Sequence, residues 1–437
     1  MAVAPQSDET EMLVDLMDME SAAYMYIDGV TTVTFFHGEV PLEQLKTRLV
    51  NVVQASPWLA GKLVKNKKAK GVQMAFSPSP TAEKVIADLV EEIELDISPS
   101  MPFETMMDTV KTKTTAHIKE TGFELLKKKL PYTRLTVAKN SNNTQGWALI
   151  FSISHTIADG FTYYKVLGML SRREEIVSLN ATRNHSFVPK LKEAVGPKEY
   201  ATFMGSASLM MNFLCTMMFG PKPRARAFYL DLDKLKTAKE KVKQEIDQKV
   251  PAGADSDANL NFVSTNDIVT AFWGRFTGAR LCEMAVNFRN RFPELRKTDA
   301  GNYEGCILFS DADFSDARGF AHGPASIRSA LQRQDGKFRS TLDPPRPLPG
   351  FFEMSRCKYR IITNWASFFS ELEFDGCTQT LHIPYLAPSS IPTDLLVIFR
   401  PTRSTLGAFI ITRKLSDEAL TSGDSLLSKH ILPPLVK

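Results

Sequence analysis

The chain predicts an α/β protein built in two parts, and three observations lead there. Its 437 residues exceed what one core holds, since single cores stop growing at about 250–300 residues. The run Ala148 to Ser154, ALIFSIS, is apolar and rich in β-formers; from Gly160 the apolar residues Phe161, Tyr164, Leu167 and Leu170 recur at helical spacing. A buried strand therefore passes to a helix within a few residues. Further on, VSTNDIVTAFWGRF has an N-cap candidate at Ser264 or Thr265 and a long apolar face, so it predicts a helix, and AVNFRNRF and GNYEGCILF after it read as strand edges with ligand-facing polar residues.

The remaining elements follow in order. Ala22 to Phe36 ends in VTTVTFF, a β-branched strand, and PLEQLKTRLVNVV places Leu42, Leu45, Leu49 and Val52 at helical spacing behind a proline. SPWLAGKLVKNKKAKGVQMAF reads as two short strands around a solvated basic loop. Pro80 to Ser100 is acidic and polar and reads as surface loops and short elements, as does Met101 to Met107. The end of FELLKKKLPYTRLTVA reads as a strand pairing with the one that leads to His155, across the turn KNSNNTQG. Arg226 to Asp233 predicts a strand, Asp233 to Lys249 a charged surface helix, and Ser326 to Arg339 a basic amphipathic one; LDPPRPLPG is a loop. The parts divide as 1–195, a crossover linker 196–225, and 226–437.

The junction HTIADG holds the chemistry. His155 stands at the carboxyl end of a core strand, where rigid elements can hold a side chain at the edge of a cleft. A neutral imidazole there can take a proton from an alcohol or amine attacking an acyl carbon; a hydrogen-bonded core histidine is the plainer alternative. Asp159 at the helix start either touches His155 or turns away to pair with an arginine and clamp the turn, the second being favoured. Gly160 permits a conformation or a close backbone approach that a Cβ would resist.

Composition removes other classes. With 43% hydrophobic, 23% charged and 10% aromatic residues the chain reads as a soluble globular protein. A net charge of +4 without an arginine stripe gives no footprint for nucleic acid. Seven histidines form no ligand-spaced cluster, so no metal is implied. Five scattered cysteines suit a reducing compartment, and the acidic start MAVAPQSDETEM lacks a secretion pattern, so a cytoplasmic location is expected.

One segment stands apart. Ala201 to Gly220, ATFMGSASLMMNFLCTMMFG, has no charge across 20 residues, five of them Met, and KPRAR follows. Gly205, Ser208, Asn212 and Thr216 form a narrow small-polar stripe on an otherwise apolar helix. A buried core helix, an interfacial helix or lid, and a true span are all open, and peripheral membrane contact through 201–220 is one expectation.

Taken in order, HTIADG, VSTNDIVTAFWGRF, VNFRNR, GNYEGCILF and then ITNWASF ahead of LEFDGCTQ resemble the BAHD acyltransferases. The resemblance implies two chloramphenicol acetyltransferase-like halves, each a mixed sheet flanked by helices, with a tunnel between them. It also implies acyl transfer from a coenzyme A thioester to a hydroxyl or amine. His155 matches the family's general base, and Asp159 its structural aspartate, whose partner would be Arg289 of Asn287-Phe288-Arg289. Asn302 and Tyr303 match the G-N signature, and Ser264 and Thr265 a helix start near the pantetheine arm of the cofactor, where free backbone donors are available. The family's D-F-G-W-G is replaced by Asp375-Gly376-Cys377-Thr378-Gln379, which keeps a structural aspartate, loses the Trp, and leaves Thr378 or a backbone N–H as the oxyanion donor. Condensation domains and wax ester synthases usually carry two consecutive histidines; here Ser154 precedes His155.

The expected activity is acyl-CoA-dependent O-acyl transfer by a monomer through a ternary complex. His155 acts as base, no acyl-enzyme forms, acyl-CoA is a co-substrate, and no cofactor is permanently bound. Seventeen Met and 28 Phe allow a roomy apolar pocket and tilt the acceptor towards a lipophilic small molecule. The alternatives are a non-catalytic acyl-thioester or lipid binder of the same fold, or a condensation or wax-ester-synthase type of acyltransferase.

Overall fold

The computed structural model describes residues 11–68, 70–114, 120–140, 146–204, 206–247, 263–314 and 348–434. Along the first part run β1 (Met12–Asp15), β2 (Val30–Gly38), α1 (Leu42–Ala55), β3 (Lys62–Lys65), β4 (Val72–Phe76), α2 (Ala82–Leu89) and β5 (Val90–Glu94). They continue as α3 (Phe103–Lys113), α4 (Gly122–Lys128), β6 (Thr133–Lys139), β7 (Gly146–Ile153) and α5 (Gly160–Leu170). Next come α6 (Phe187–Val195), α7 (Pro197–Phe203), α8 (Ala207–Phe219), β8 (Arg224–Leu230), α9 (Leu232–Asp247), α10 (Thr265–Phe276), β9 (Leu281–Asn287) and β10 (Glu304–Ser310). The last stretch holds α11 (Phe351–Met354), β11 (Tyr359–Asn364), β12 (Cys377–Tyr385), β13 (Asp394–Phe399), β14 (Gly407–Thr412), α12 (Asp417–Thr421) and β15 (Leu427–His430). The helix expected over Ser326 to Arg339 lies outside the described residues.

Two mixed sheets carry the structure. The first has the order β12-β2-β7-β6-β5, with only β5 and β6 parallel, and the second the order β10-β9-β11-β13-β14-β8-β15, with β11 parallel to both β9 and β13. Trp147 to Ile153 of β7 and every residue of β13 and β14 are buried, because these strands are covered on both faces; continuous apolar runs are what such positions demand. A single cluster joins Val33, Leu149 and Phe151 of the first sheet to Val397, Phe409 and Ile411 of the second, so the two parts share a core.

The short elements expected in Pro80 to Ser100 are the helix α2 and the strand β5: Thr81 caps α2 by accepting from Lys84 N at 3.3 Å, and Val85 and Leu89 are buried. One finding departs from the sequence reading: β12, which falls by position in the 226–437 part, pairs with β2 and completes the edge of the first sheet.

β12 also holds a core histidine. His382 is buried with Nδ1 2.8 Å from Thr34 Oγ1 and Nε2 2.9 Å from Tyr164 Oη. Burial pushes its pKa down to about 3. The unfolded chain therefore takes up this proton first as pH falls below about 6.5, and stability is lost between there and about pH 3. Denaturant titrations should show a loss on the order of 3–5 kcal/mol from this group across that window, and His382→Gln should flatten it; an unchanged pH dependence in the variant would assign the loss to other groups.

Candidate active site

β7 ends at Ile153, and the chain turns through residues 154–159 before α5 begins. This turn is tied down from several directions. Ser154 N donates to Tyr132 O at 2.8 Å, Thr156 Oγ1 to Met25 O at 3.2 Å, and Asn302 Nδ2 to His155 O at 3.0 Å. Arg183 Nη2 donates to Ile157 O at 2.8 Å. With its backbone so held, the imidazole of His155 has little freedom beyond its own side-chain torsions. It keeps 21% of its side-chain surface exposed, so it is open to a reactant.

Asp159 faces away from His155. Its Oδ1 accepts from Thr162 N at 2.8 Å and caps α5, while Oδ2 lies 2.6 Å from Arg289 Nη1 and accepts from Tyr303 N at 3.1 Å. Arg289 spends its other donors on Asp299 O, Asn287 Oδ1, Thr162 Oγ1 and Gly301 O, and its guanidinium lies over the rings of Phe161 and Tyr303. Both side chains are at most 1% exposed. Such a pair is tolerable in the interior because every guanidinium proton and both carboxylate oxygens have a partner.

A second buried pair lies behind the same turn. Arg183 Nε is 2.8 Å from Glu20 Oε2, both side chains having no exposure, and Glu20 Oε1 accepts from Asn302 N at 2.9 Å. Sequence reading found neither residue, since no spacing connects positions 20 and 183. It also missed Glu304, whose Oε1 lies 3.7 Å from His155 Nε2. The spacing reads GNYEG as a strand edge with ligand-facing polar residues without singling out Glu304, the carboxylate that this edge aims at the imidazole. Burial raises its carboxyl to about 7; the charge of His155 lowers it, Asp159 raises it, Arg289 lowers it, and Glu283 raises it.

Other sequence candidates take different places. Asn302 is fully buried and its Nδ2 donates to Glu20 Oε1 and His155 O, so it positions the turn. Tyr303 is also fully buried, its hydroxyl accepting from Asn184 N at 2.8 Å and its ring packed on Phe187. Ser264 closes a capping box with Asp267 at the start of α10, which occupies its hydroxyl; Thr265 Oγ1 accepts from Lys239 Nζ at 2.6 Å. Their neighbour Asn266 is the one that lines a cleft of about 420 Å³, with Met284, Asn287, Asn364, Ser367 and Phe368. Asn287 pairs with Glu304 across β9 and β10, so this cleft adjoins the carboxylate beside His155.

Thr378 and Asp375 are corrected outright. Thr378 pairs with His37, which pairs with Gly146, seven strand positions from Ile153, so it lies roughly 23 Å from the end of β7 at about 3.3 Å per residue. No oxyanion donor can act over that span. Asp375 is 68% exposed at the same remote corner, bonded to Arg172 and to Gln44 Nε2. Gly160 has no left-handed backbone; a Cβ there would meet Trp365 Nε1 at 3.4 Å, near ordinary contact, so the turn itself does not require glycine.

Two mixed sheets, each flanked by helices and meeting at a histidine-bearing turn, define the chloramphenicol acetyltransferase-like fold. The chain superposes on F. graminearum TRI101, crystallised with coenzyme A and deoxynivalenol, with a TM-score of 0.61 at 15% identity, covering 94% of this chain and 96% of that one. It is similar in fold to polyketide synthase associated protein 5 from Mycobacterium tuberculosis (TM-score 0.58, 13% identity, 93% and 95% covered). The first condensation domain of the CDA synthetase is also similar (TM-score 0.55, 13% identity, 94% and 93% covered). The sequence matches no family model and no curated protein.

Proposed function

We propose that the protein is an acyltransferase of the BAHD type, moving an acyl group from a coenzyme A thioester to a hydroxyl or amine of a small apolar acceptor. The observation that carries this is the accessible imidazole of His155, on a turn fixed by two buried ion pairs, beside a cleft in a fold that holds coenzyme A in TRI101. The acceptor's proton passes to His155 Nε2 as its oxygen or nitrogen attacks the thioester carbonyl carbon. A tetrahedral oxyanion forms, the C–S bond breaks, and the thiolate takes the proton from the imidazolium. Glu304, as carboxylate, stabilises that imidazolium. The cleft at the start of α10 is the side from which the thioester enters, with Lys239 available to its phosphates, and Phe161 and Phe368 offer the acceptor apolar walls. We place the protein in the cytoplasm, where its five free cysteines would stay reduced, and take it to act as a monomer.

The test is thiol release from a panel of acyl-CoA esters and lipophilic alcohols or amines; absence of release with every pair would sink the proposal. Within that assay Glu304→Gln should cut kcat several-fold. A kcat equal to that of wild type would remove Glu304 from the mechanism.

A further inference from the structure

The uncharged segment is neither a core helix nor a span. Pro197–Phe219 is long and apolar enough on composition to cross a membrane, but it is divided: α7 ends at Phe203, and Ser206 starts α8 afresh by accepting from Leu209 N at 3.3 Å. α7 packs on β10 with Glu199 and Thr202 buried. α8 has 13 residues, about 20 Å at 1.5 Å per residue, against a hydrocarbon core of about 30 Å.

The inward face of α8 mixes the apolar Leu209 with the polar Ser208 and Asn212, all buried, and Asn212 Nδ2 donates to Met354 O at 2.8 Å and Cys357 O at 2.9 Å, which fastens α8 to α11. The face left outside is Met210, Met211, Leu214, Met217, Met218 and Phe219, between 47% and 79% exposed. Phe351 and Phe352 of α11 extend it at 56% and 78%. A soluble surface would carry charge at these positions. Charge appears only at the border and is basic: Lys222, Arg356 and Lys358 are exposed and make no ion pair among the described residues, whereas Glu353 is held by Arg280 at 2.6 Å.

We propose that this α8–α11 face docks the protein monotopically on an anionic phospholipid surface, the Met, Leu and Phe side chains entering the acyl boundary while the three cations meet headgroups. An apolar helix face with a basic rim is what such a surface selects, and a protein partner would be expected to find directional polar anchors, which the centre of this face lacks. The inference stands independently of acyl transfer.

The test is flotation of the full chain with vesicles of phosphatidylcholine containing about 30 mol% phosphatidylserine, against phosphatidylcholine alone. Flotation with the anionic vesicles is expected, reduced by Lys222→Glu with Arg356→Glu and cut at least about tenfold by Leu214→Glu with Met218→Glu and Phe352→Glu. These side chains are exposed, so circular dichroism and thermal midpoint should not change. Wild-type protein staying at the bottom of both gradients, or a triple variant that floats as well as wild type, would overturn the proposal. So would a wild-type dimer that does not float and that the triple variant makes monomeric, because the face would then belong to a second copy.

Discussion

His155→Ala is expected to remain folded and to release thiol at least about a thousandfold more slowly than wild type, within the range a positioned base supplies. The two halves of that result come from different atoms. The residue's structural duty lies in its backbone: the carbonyl accepts from Asn302, and alanine keeps it. The ring contributes little to the fold, for among the described residues its Nδ1 has no hydrogen-bond partner and its Nε2 only faces Glu304 at 3.7 Å. Thermal midpoint and near-UV dichroism should therefore match wild type while kcat collapses. Turnover within tenfold of wild type would mean that this imidazole is not the base.

Asp159→Ala should act in the opposite way, on stability first. It leaves Arg289 with an uncompensated charge in a site where its side chain has no exposure, a loss of about 3–5 kcal/mol, and removes the cap of α5, about another 1 kcal/mol. Equilibrium denaturation should show a much lower midpoint at unchanged slope, and activity should fall because Tyr303 N and the turn lose their anchor. Combining Asp159→Ala with Arg289→Met should recover part of the stability, since the stranded cation goes with its partner. A single variant as stable as wild type, or a double variant that is worse by the full sum, would show that the pair is not what holds the turn.

How much of this was legible depends on the range over which each feature is encoded. β7 and α5 are local: a buried strand needs a continuous apolar run and a packed helix a 3.6-residue period, and both are written between Ala148 and Leu170. The partners of the turn are not local. Asp159 and Arg289 are 130 positions apart and Glu20 and Arg183 are 163 apart, so no periodicity links them; the first pair was reached through the order of motifs, and the second carries no motif. Asn302 and Tyr303 show a different limit. The sequence marks them as special, but only packing reveals that the Nδ2 of Asn302 and the hydroxyl of Tyr303 are engaged inside the protein. Thr378 failed for a topological reason, because nothing in LEFDGCTQ says that the strand it opens will run along the far edge of the other sheet.

That crossing strand has a consequence for turnover. With Cys377–Tyr385 stitched to β2 by a ladder of main-chain hydrogen bonds, the molecule is interlocked rather than hinged, and a wide clamshell swing would have to unzip a β-ladder. In the acyl transfer proposed above, product egress would then fall to rearrangement of the side chains and short segments that rim the cleft, Phe368 and Asn364 among them. The proposed turnover would then be paced by local breathing at the portal, with the scaffold around the imidazole held clenched by the β-ladder.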